Sequence, residues 1–142
     1  MKPTPVLLTT DIVLFSKQQG AFQVLLIQRK NPPFKDSWAL PGGFVDPDED
    51  LLPCAIRELK EETGVSLTTL AQFGAYGNPD RDERGRVVTV AYWAELEKDV
   101  RVVAADDAKD ARWFSLSELP PLAFDHAKII EDAVAKRRSQ AI

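Results

Sequence analysis

Residues 50–64 constrain this chain more than any other stretch, because Pro53 and Gly64 fix where a helix there can begin and end. Proline lacks an amide hydrogen and is tolerated only in a helix's first turn, so the helix must begin near Asp50. The Asp50 carboxylate suits the N-cap and the positive end of the helix dipole, and Gly64 is a natural C-terminal stop. At about 100° per residue, Leu52, Ile56, Leu59 and Thr63 line one face. Glu58 and Glu62 fall together on its flank, and Glu61 lies further round. Acids one turn apart repel, and Arg57 and Lys60 offset only part of that. A solvated acidic face is the ordinary outcome of such a cluster. Here, however, the acids border a buried face and follow a glycine turn at Gly42-Gly43. Three hard oxygen donors within one turn suit magnesium or manganese, which complete their shells with water and substrate phosphates. The glycines free a backbone carbonyl to approach the same point. The pattern points to a divalent-cation site that presents a phosphate-bearing substrate to an activated water.

Around this helix the chain reads as strands. Apolar runs at residues 6–15 and 22–28 flank a polar stretch closed by Gly20, the pattern of a hairpin. The second run is apolar on both faces, which requires a sheet covered on both sides. Residues 31–36, with two prolines, form a loop, and residues 38–40 a short strand or bridge. Strands are expected at 67–76, 87–96 and 111–114, with a further short one at 100–104 inside an irregular segment over 97–110. Asp125 is placed to cap a closing helix through Arg138 whose apolar face is Ile129, Ile130, Ala133 and Val134. Strands around one central helix, closed by a second, make a layered α/β domain with a mixed sheet.

Composition narrows the class. At 142 residues, 44% apolar and 28% charged, residues 1–142 suit a single globular domain. The single cysteine, Cys54, leaves no internal disulfide or cysteine zinc site, which favours a reducing, cytoplasmic setting. The polar N-terminus is unlike a signal peptide, and no apolar run approaches a membrane span. A net charge of −4 argues against a sequence-independent grip on nucleic acid, so no nucleic-acid and no membrane partner is expected. It leaves nucleotides open, because bound cations reverse the local sign.

The helix also carries a resemblance. Gly43, five residues, Glu49, seven residues, then Arg57-Glu58-Leu59-Lys60-Glu61-Glu62-Thr63-Gly64-Val65 is similar to the Nudix box at every defined position. The flanking strands and Arg112-Trp113-Phe114 extend the likeness over nearly the whole chain. The resemblance implies an α/β/α sandwich and Mg²⁺-dependent (or Mn²⁺-dependent) hydrolysis of a nucleoside diphosphate linked to a second group. It assigns Glu58 and Glu62 as principal metal ligands, Glu61 as a further ligand or a base, and the Gly42 carbonyl as an inner-shell donor. Arg57 would orient the carboxylates, and Glu49 would brace the loop by pairing with Arg57.

Specificity lies in the loops. Asp80-Arg81-Asp82-Glu83-Arg84-Gly85-Arg86 resembles a segment of the ADP-ribose pyrophosphatase branch, and Leu122-Ala123-Phe124-Asp125-His126 one shared with ADP-ribose-sensing regulators. Both favour ADP-ribose, split into AMP and ribose 5-phosphate. Arg81, Arg84 and Arg86 are candidates to grip a diphosphate with forked hydrogen bonds, and Arg29, at a strand end, for a further phosphate or ribose contact. Asp82 or Glu83 is the candidate general base, with Glu95 competing. His126 is read as a capping or packing residue. Phe34, Tyr76 and Phe124 are available to stack on a base. The alternatives are a house-cleaning nucleoside triphosphate pyrophosphatase of the 8-oxo-dGTP type and a non-enzymatic ADP-ribose sensor. Analogy within the branch alone speaks for a homodimer.

Overall fold

The two-sided apolar pattern of the first two strands places them at the centre. In the computed structural model, which describes residues 2–18, 20–97, 100–104 and 108–140, these are β1 (Leu7–Gln18) and β2 (Ala21–Arg29). Successive strand side chains point to opposite faces. Ile12 and Leu14 of β1 and Leu25 of β2 therefore enter one apolar cluster, and Val13, Phe15, Val24 and Leu26 enter another. Helix α1 (Leu51–Thr63) covers the first cluster with Ala55 and Leu59. Helix α2 (His126–Gln140) covers the second with Ile129, Ile130 and Ala133. Each buried Val, Leu, Ile or Phe side chain among these contributes about 1.5–3 kcal/mol, so the two layers hold the sandwich without covalent staples.

The sheet is mixed. β1 runs parallel to β6 (Val87–Leu96), and β5 (Ala71–Tyr76) lies antiparallel on β6. On the other side β7 (Ala108–Ser115) lies antiparallel on β2. β1 and β2 pair directly only from Phe15↔Val24 to Gln18↔Ala21. Beyond that point they part. β4 (Gly42–Phe44) then takes the freed edge of β1, and β3 (Trp38–Ala39) takes that of β2. This divergence positions the site.

Both ends of α1 fall where the sequence places them. Asp50 Oδ1 accepts from the Leu51 N–H at 2.7 Å, and Gly64 adopts φ 77° while its N–H donates to the Lys60 carbonyl. The buried face is wider than Leu52, Ile56, Leu59 and Thr63: Cys54, Ala55 and the charged Glu62 are buried too. The expected glycine turn at Gly42-Gly43 is a paired strand. The strand expected from residue 67 begins only at Ala71, and the one expected at 111–114 is extended to 108–115 by a bulge that carries Ala108 onto Arg29. Residues 100–104 form no strand; they are tied by the Val103 N–H to the Thr63 carbonyl and by Trp113 Nε1–H to the Val100 carbonyl. Residues 98–99 and 105–107 of the expected irregular segment lie outside the described residues, as does Gln19 of the hairpin turn. Asp125 precedes α2 and its carbonyl accepts from Ile129 N–H, but its carboxylate does not cap the helix. Arg81 holds that carboxylate instead. No helix among the described residues is long and apolar enough to cross a membrane.

Candidate functional site

Where β1 and β2 part, a cleft of about 340 Å³ opens, a size that holds a small molecule. Glu58, Glu62, Gly42 and Gly43 line one side, Arg81, Asp82, Arg84 and Phe124 another, with Asp11 and Arg29 between.

On the acidic side the helix meets the strand closely. Glu62 is buried, and its Oε1 accepts from the Gly42 N–H at 2.7 Å. A Cβ on Gly42 would stand 2.0 Å from the Thr10 carbonyl oxygen, and one on Gly43 would stand 2.5 Å from the Glu58 carboxyl carbon. The two glycines therefore serve close approach, each for a different neighbour. Behind this wall Arg57 binds Glu49 through Nε and Nη2 at 2.6 and 2.8 Å, and its Nη1 reaches Glu58 at 2.9 Å and Glu61 at 3.0 Å. Arg57 thus ties one box acid to the next. Glu61 faces Arg57 at the surface and does not line the cleft.

This network is sensitive to acid. The hydrogen bonds from Arg57 hold the Glu49 carboxyl down to about 2, from an ordinary 4.5. A carboxyl depressed in the fold contributes stability that is present above its unfolded value and lost as pH falls through the folded one. The wild-type chain is expected to lose urea stability between pH 4.5 and about 2, and Glu49→Gln to flatten that limb. Parallel curves for the two proteins would contradict this role for Glu49.

The opposite side is cationic and aromatic. The Arg81 side chain is buried and binds Asp125 in a fork at 2.7 and 2.8 Å. Arg84 clamps Asp82 at 2.7–3.2 Å, and its guanidinium lies over the rings of Phe44 and Phe124. Burial works to raise the Asp82 carboxyl, but the Arg84 side-chain and backbone hydrogen bonds outweigh it and hold Asp82 below the usual carboxylate range. In this arrangement Asp82 is a poor proton acceptor. Arg29 stacks on the same Phe124 ring, 5.1 Å from its centroid. Burial lowers the Arg29 guanidinium first, and the nearby Arg84 charge lowers it further. Two guanidiniums sharing one ring and repelling each other across a cleft favour an anion between them. Phe34 and Phe124, whose rings are 4.9 Å apart, both hold left-handed backbone (φ 58° and 53°), a strain that collects at binding sites.

The structure thus brings Gly42, Glu58, Glu62, Arg29, Arg81, Asp82 and Arg84 to one cleft, with Glu49, Arg57 and Glu61 braced behind. It leaves five candidates elsewhere: Phe34 and Tyr76 do not line the cleft, and the Tyr76 hydroxyl donates to Asp132 Oδ2 at 2.7 Å. Glu83 and Arg86 are exposed and off the cleft, and Glu95, at the far end of β6, pairs with Arg137 of α2. His126 is buried, and its Nδ1 accepts from the Leu40 N–H at 3.0 Å. Asp11 was not among the candidates, although it is a buried carboxylate on the cleft. Its signal was an acid interrupting the apolar run at residues 6–15.

The donors fit a hard cation. Among the described residues no three histidine, cysteine or acidic side chains close on one point. Two cleft carboxylates beside a strand carbonyl match magnesium, which keeps few protein ligands, better than a caged or sulfur-bound metal.

The NUDIX domain model matches residues 6–133. This chain belongs to the Nudix family. The Nudix fold is seen again in the NUDIX domain of Shewanella oneidensis NrtR, solved in complex with ADP-ribose. That domain superposes with a TM-score of 0.88 at 39% identity, over 94% of this chain and 89% of that one. The chain is 47% identical over 110 residues to an ADP-ribose pyrophosphatase of Methanocaldococcus jannaschii, covering 78% of this chain and 64% of the relative. It is 42% identical over 138 residues to an ADPR-responsive transcriptional repressor, NtrR, of Acinetobacter baylyi, covering 94% of this chain and 55% of the relative. This Nudix chain therefore spans less than two thirds of the length of either curated relative.

Proposed function

We propose that this Nudix chain, acting as one catalytic unit over residues 1–142, hydrolyses ADP-ribose to AMP and ribose 5-phosphate with Mg²⁺. One observation carries the reading: Glu58 and Glu62 face the same cleft as Arg29 and Arg84, two cations crowded on a single phenyl ring. A diphosphate spans such a pair, taking cation-bound oxygens on one side and guanidinium hydrogen bonds on the other. Likeness to an ADP-ribose-bound domain and to an ADP-ribose pyrophosphatase supports the choice of nucleotide. Glu58, Glu62 and the Gly42 carbonyl would hold the ion, and when bound it polarises a phosphoryl oxygen and acidifies a water. The chain's own residues do the rest. Arg57 holds Glu58 and Glu61 in place, Arg29 and Arg84 take up phosphate charge, and Phe124 offers a face for the base. The cytoplasmic setting and the absence of a nucleic-acid partner belong to the same proposal, supported by the lone cysteine and net charge of −4.

A product-resolved panel tests it. With Mg²⁺, ADP-ribose is expected to yield AMP with a larger kcat/KM than 8-oxo-dGTP or dinucleoside polyphosphates. Pyrophosphate released from a triphosphate at higher efficiency would move the chain to the house-cleaning class. Likeness to the repressor favours a second reading, an ADP-ribose sensor. Tight ADP-ribose binding by calorimetry without turnover would establish that reading in place of the first.

A further inference from the structure

Two buried polar groups in the cleft have no part in holding a cation or a phosphate. Asp11 and His126 come from opposite ends of the chain and meet beside Gly42. The His126 side chain is 5% exposed and that of Asp11 10%, and both line the cleft. The Leu40 N–H donates to His126 Nδ1 at 3.0 Å, so that nitrogen carries no proton and the ring hydrogen sits on Nε2. Burial favours this neutral form. On the other residue, Thr89 Oγ1–H donates to Asp11 Oδ2 at 2.6 Å, which leaves Oδ1 turned to the histidine. Nε2 and Oδ1 are 3.6 Å apart, too far for a hydrogen bond between them. A donor and an acceptor are thus held fixed, side by side, and neither satisfies the other.

We propose that the Asp11–His126 pair is a hydroxyl-recognition site for a ribose of the bound nucleotide. A hydroxyl is the common group that both accepts and donates. Its oxygen accepts from His126 Nε2–H, and its hydrogen goes to Asp11 Oδ1. A phosphate oxygen brings no hydrogen for Asp11 Oδ1, and a deoxy carbon leaves both groups unpaired. The location agrees: Asp11 Oδ1 lies 2.7 Å from where a Gly42 side chain would begin, and the Gly42 N–H is the group that binds Glu62. A sugar bonded to the reacting diphosphate reaches that distance. The same pair also couples the two halves of the site, since His126 begins α2 directly after Phe124 and Asp125, and Leu40 leads into Gly42. Both residues are specificity-determining, because a site built to hydrogen-bond a hydroxyl rejects the analogue that lacks it.

This inference rests on the reading that the cleft binds ADP-ribose. The test measures wild-type binding by calorimetry, and kcat/KM with Mg²⁺, for ADP-ribose and for analogues each lacking one ribose hydroxyl. One analogue is expected to lose about 10- to 100-fold in both readouts, the cost of leaving buried groups unpaired. The same comparison is made in Asp11→Ala and His126→Phe, which remove the acceptor and the donor outright, and that loss is expected to shrink to about threefold or less because one partner is already gone. If every analogue binds and turns over like ADP-ribose in the wild-type chain, the site is wrong, whatever the variants do. An analogue penalty that persists undiminished in both folded variants overturns it as well. If ADP-ribose itself is neither bound nor cleaved, the proposed function fails separately. The deoxy series of whichever ribonucleotide the panel selects then decides this pair by the same two readouts.

Discussion

Glu62→Gln is expected to lower kcat for ADP-ribose by about a thousandfold or more, about 4 kcal/mol of transition-state stabilisation, while leaving the chain at least as stable as the parent. The substitution keeps size and shape. Its amide oxygen still accepts from the Gly42 N–H, the contact that ties α1 to β4. What it removes is one negative charge from a buried position beside Glu58, where a cation has to be held. Without that ion, losing the charge relieves repulsion between acids one turn apart and the cost of burying a carboxylate. Activity and stability should therefore move in opposite directions. The check is kcat and its Mg²⁺ dependence alongside urea unfolding of the metal-free protein. Activity within tenfold of the parent would remove Glu62 from the proposed ligand set. A stability loss above about 1 kcal/mol would show that the carboxylate holds the fold instead.

Gly42→Ala is expected to cost about 3 kcal/mol and to lower Tm by roughly 10 °C. The new methyl would stand 2.0 Å from the Thr10 carbonyl oxygen. That oxygen belongs to a strand held by β4 on one edge and β6 on the other, so it cannot yield without breaking a ladder. Gly43→Ala makes the informative comparison. Its methyl meets the Glu58 carboxylate, the far end of a flexible side chain, which can swing away. Here stability is expected to fall by less than about 1 kcal/mol, while turnover falls with the displaced carboxylate. Adjacent glycines would thus separate, one needed by the fold and one by the site. Equal melting temperatures for the two variants would refute that separation.

Much of this could be read from residue order, for a local reason. Helix limits at Asp50 and Gly64 follow from caps and a proline, which act within one turn. The double-sided alternation of residues 22–28 demanded layers on both faces, and α1 and α2 supply them. Phasing alone set Glu58 beside Glu62. Other readings failed where a distant partner decided. Asp125 had the composition of a cap, but Arg81 takes its carboxylate from 44 residues away. Gly42-Gly43 had the composition of a turn, yet the freed edge of β1 made it a strand. Residues 100–104 are apolar enough for a strand, but they lie beside the end of α1 and use single hydrogen bonds.

The candidate site divides along the same line. Residues 42–65 carry the family pattern unaided, because the box acids and glycines share one helix and one short strand, whose geometry is set by spacing. Which loop residues face those acids was settled by long-range packing, and residue order could not give it. That packing turned Arg84 and Arg29 onto one phenyl ring, spent Arg81 on Asp125, and left Arg86, Glu83 and Glu95 off the cleft. It also raised Asp11, an acid that composition marks only as an interruption, to a partner of His126 across 115 residues of chain. Spacing cannot reveal such pairs, because the parting of β1 from β2, and the helix that closes over the sheet, bring them together only when the whole chain is folded.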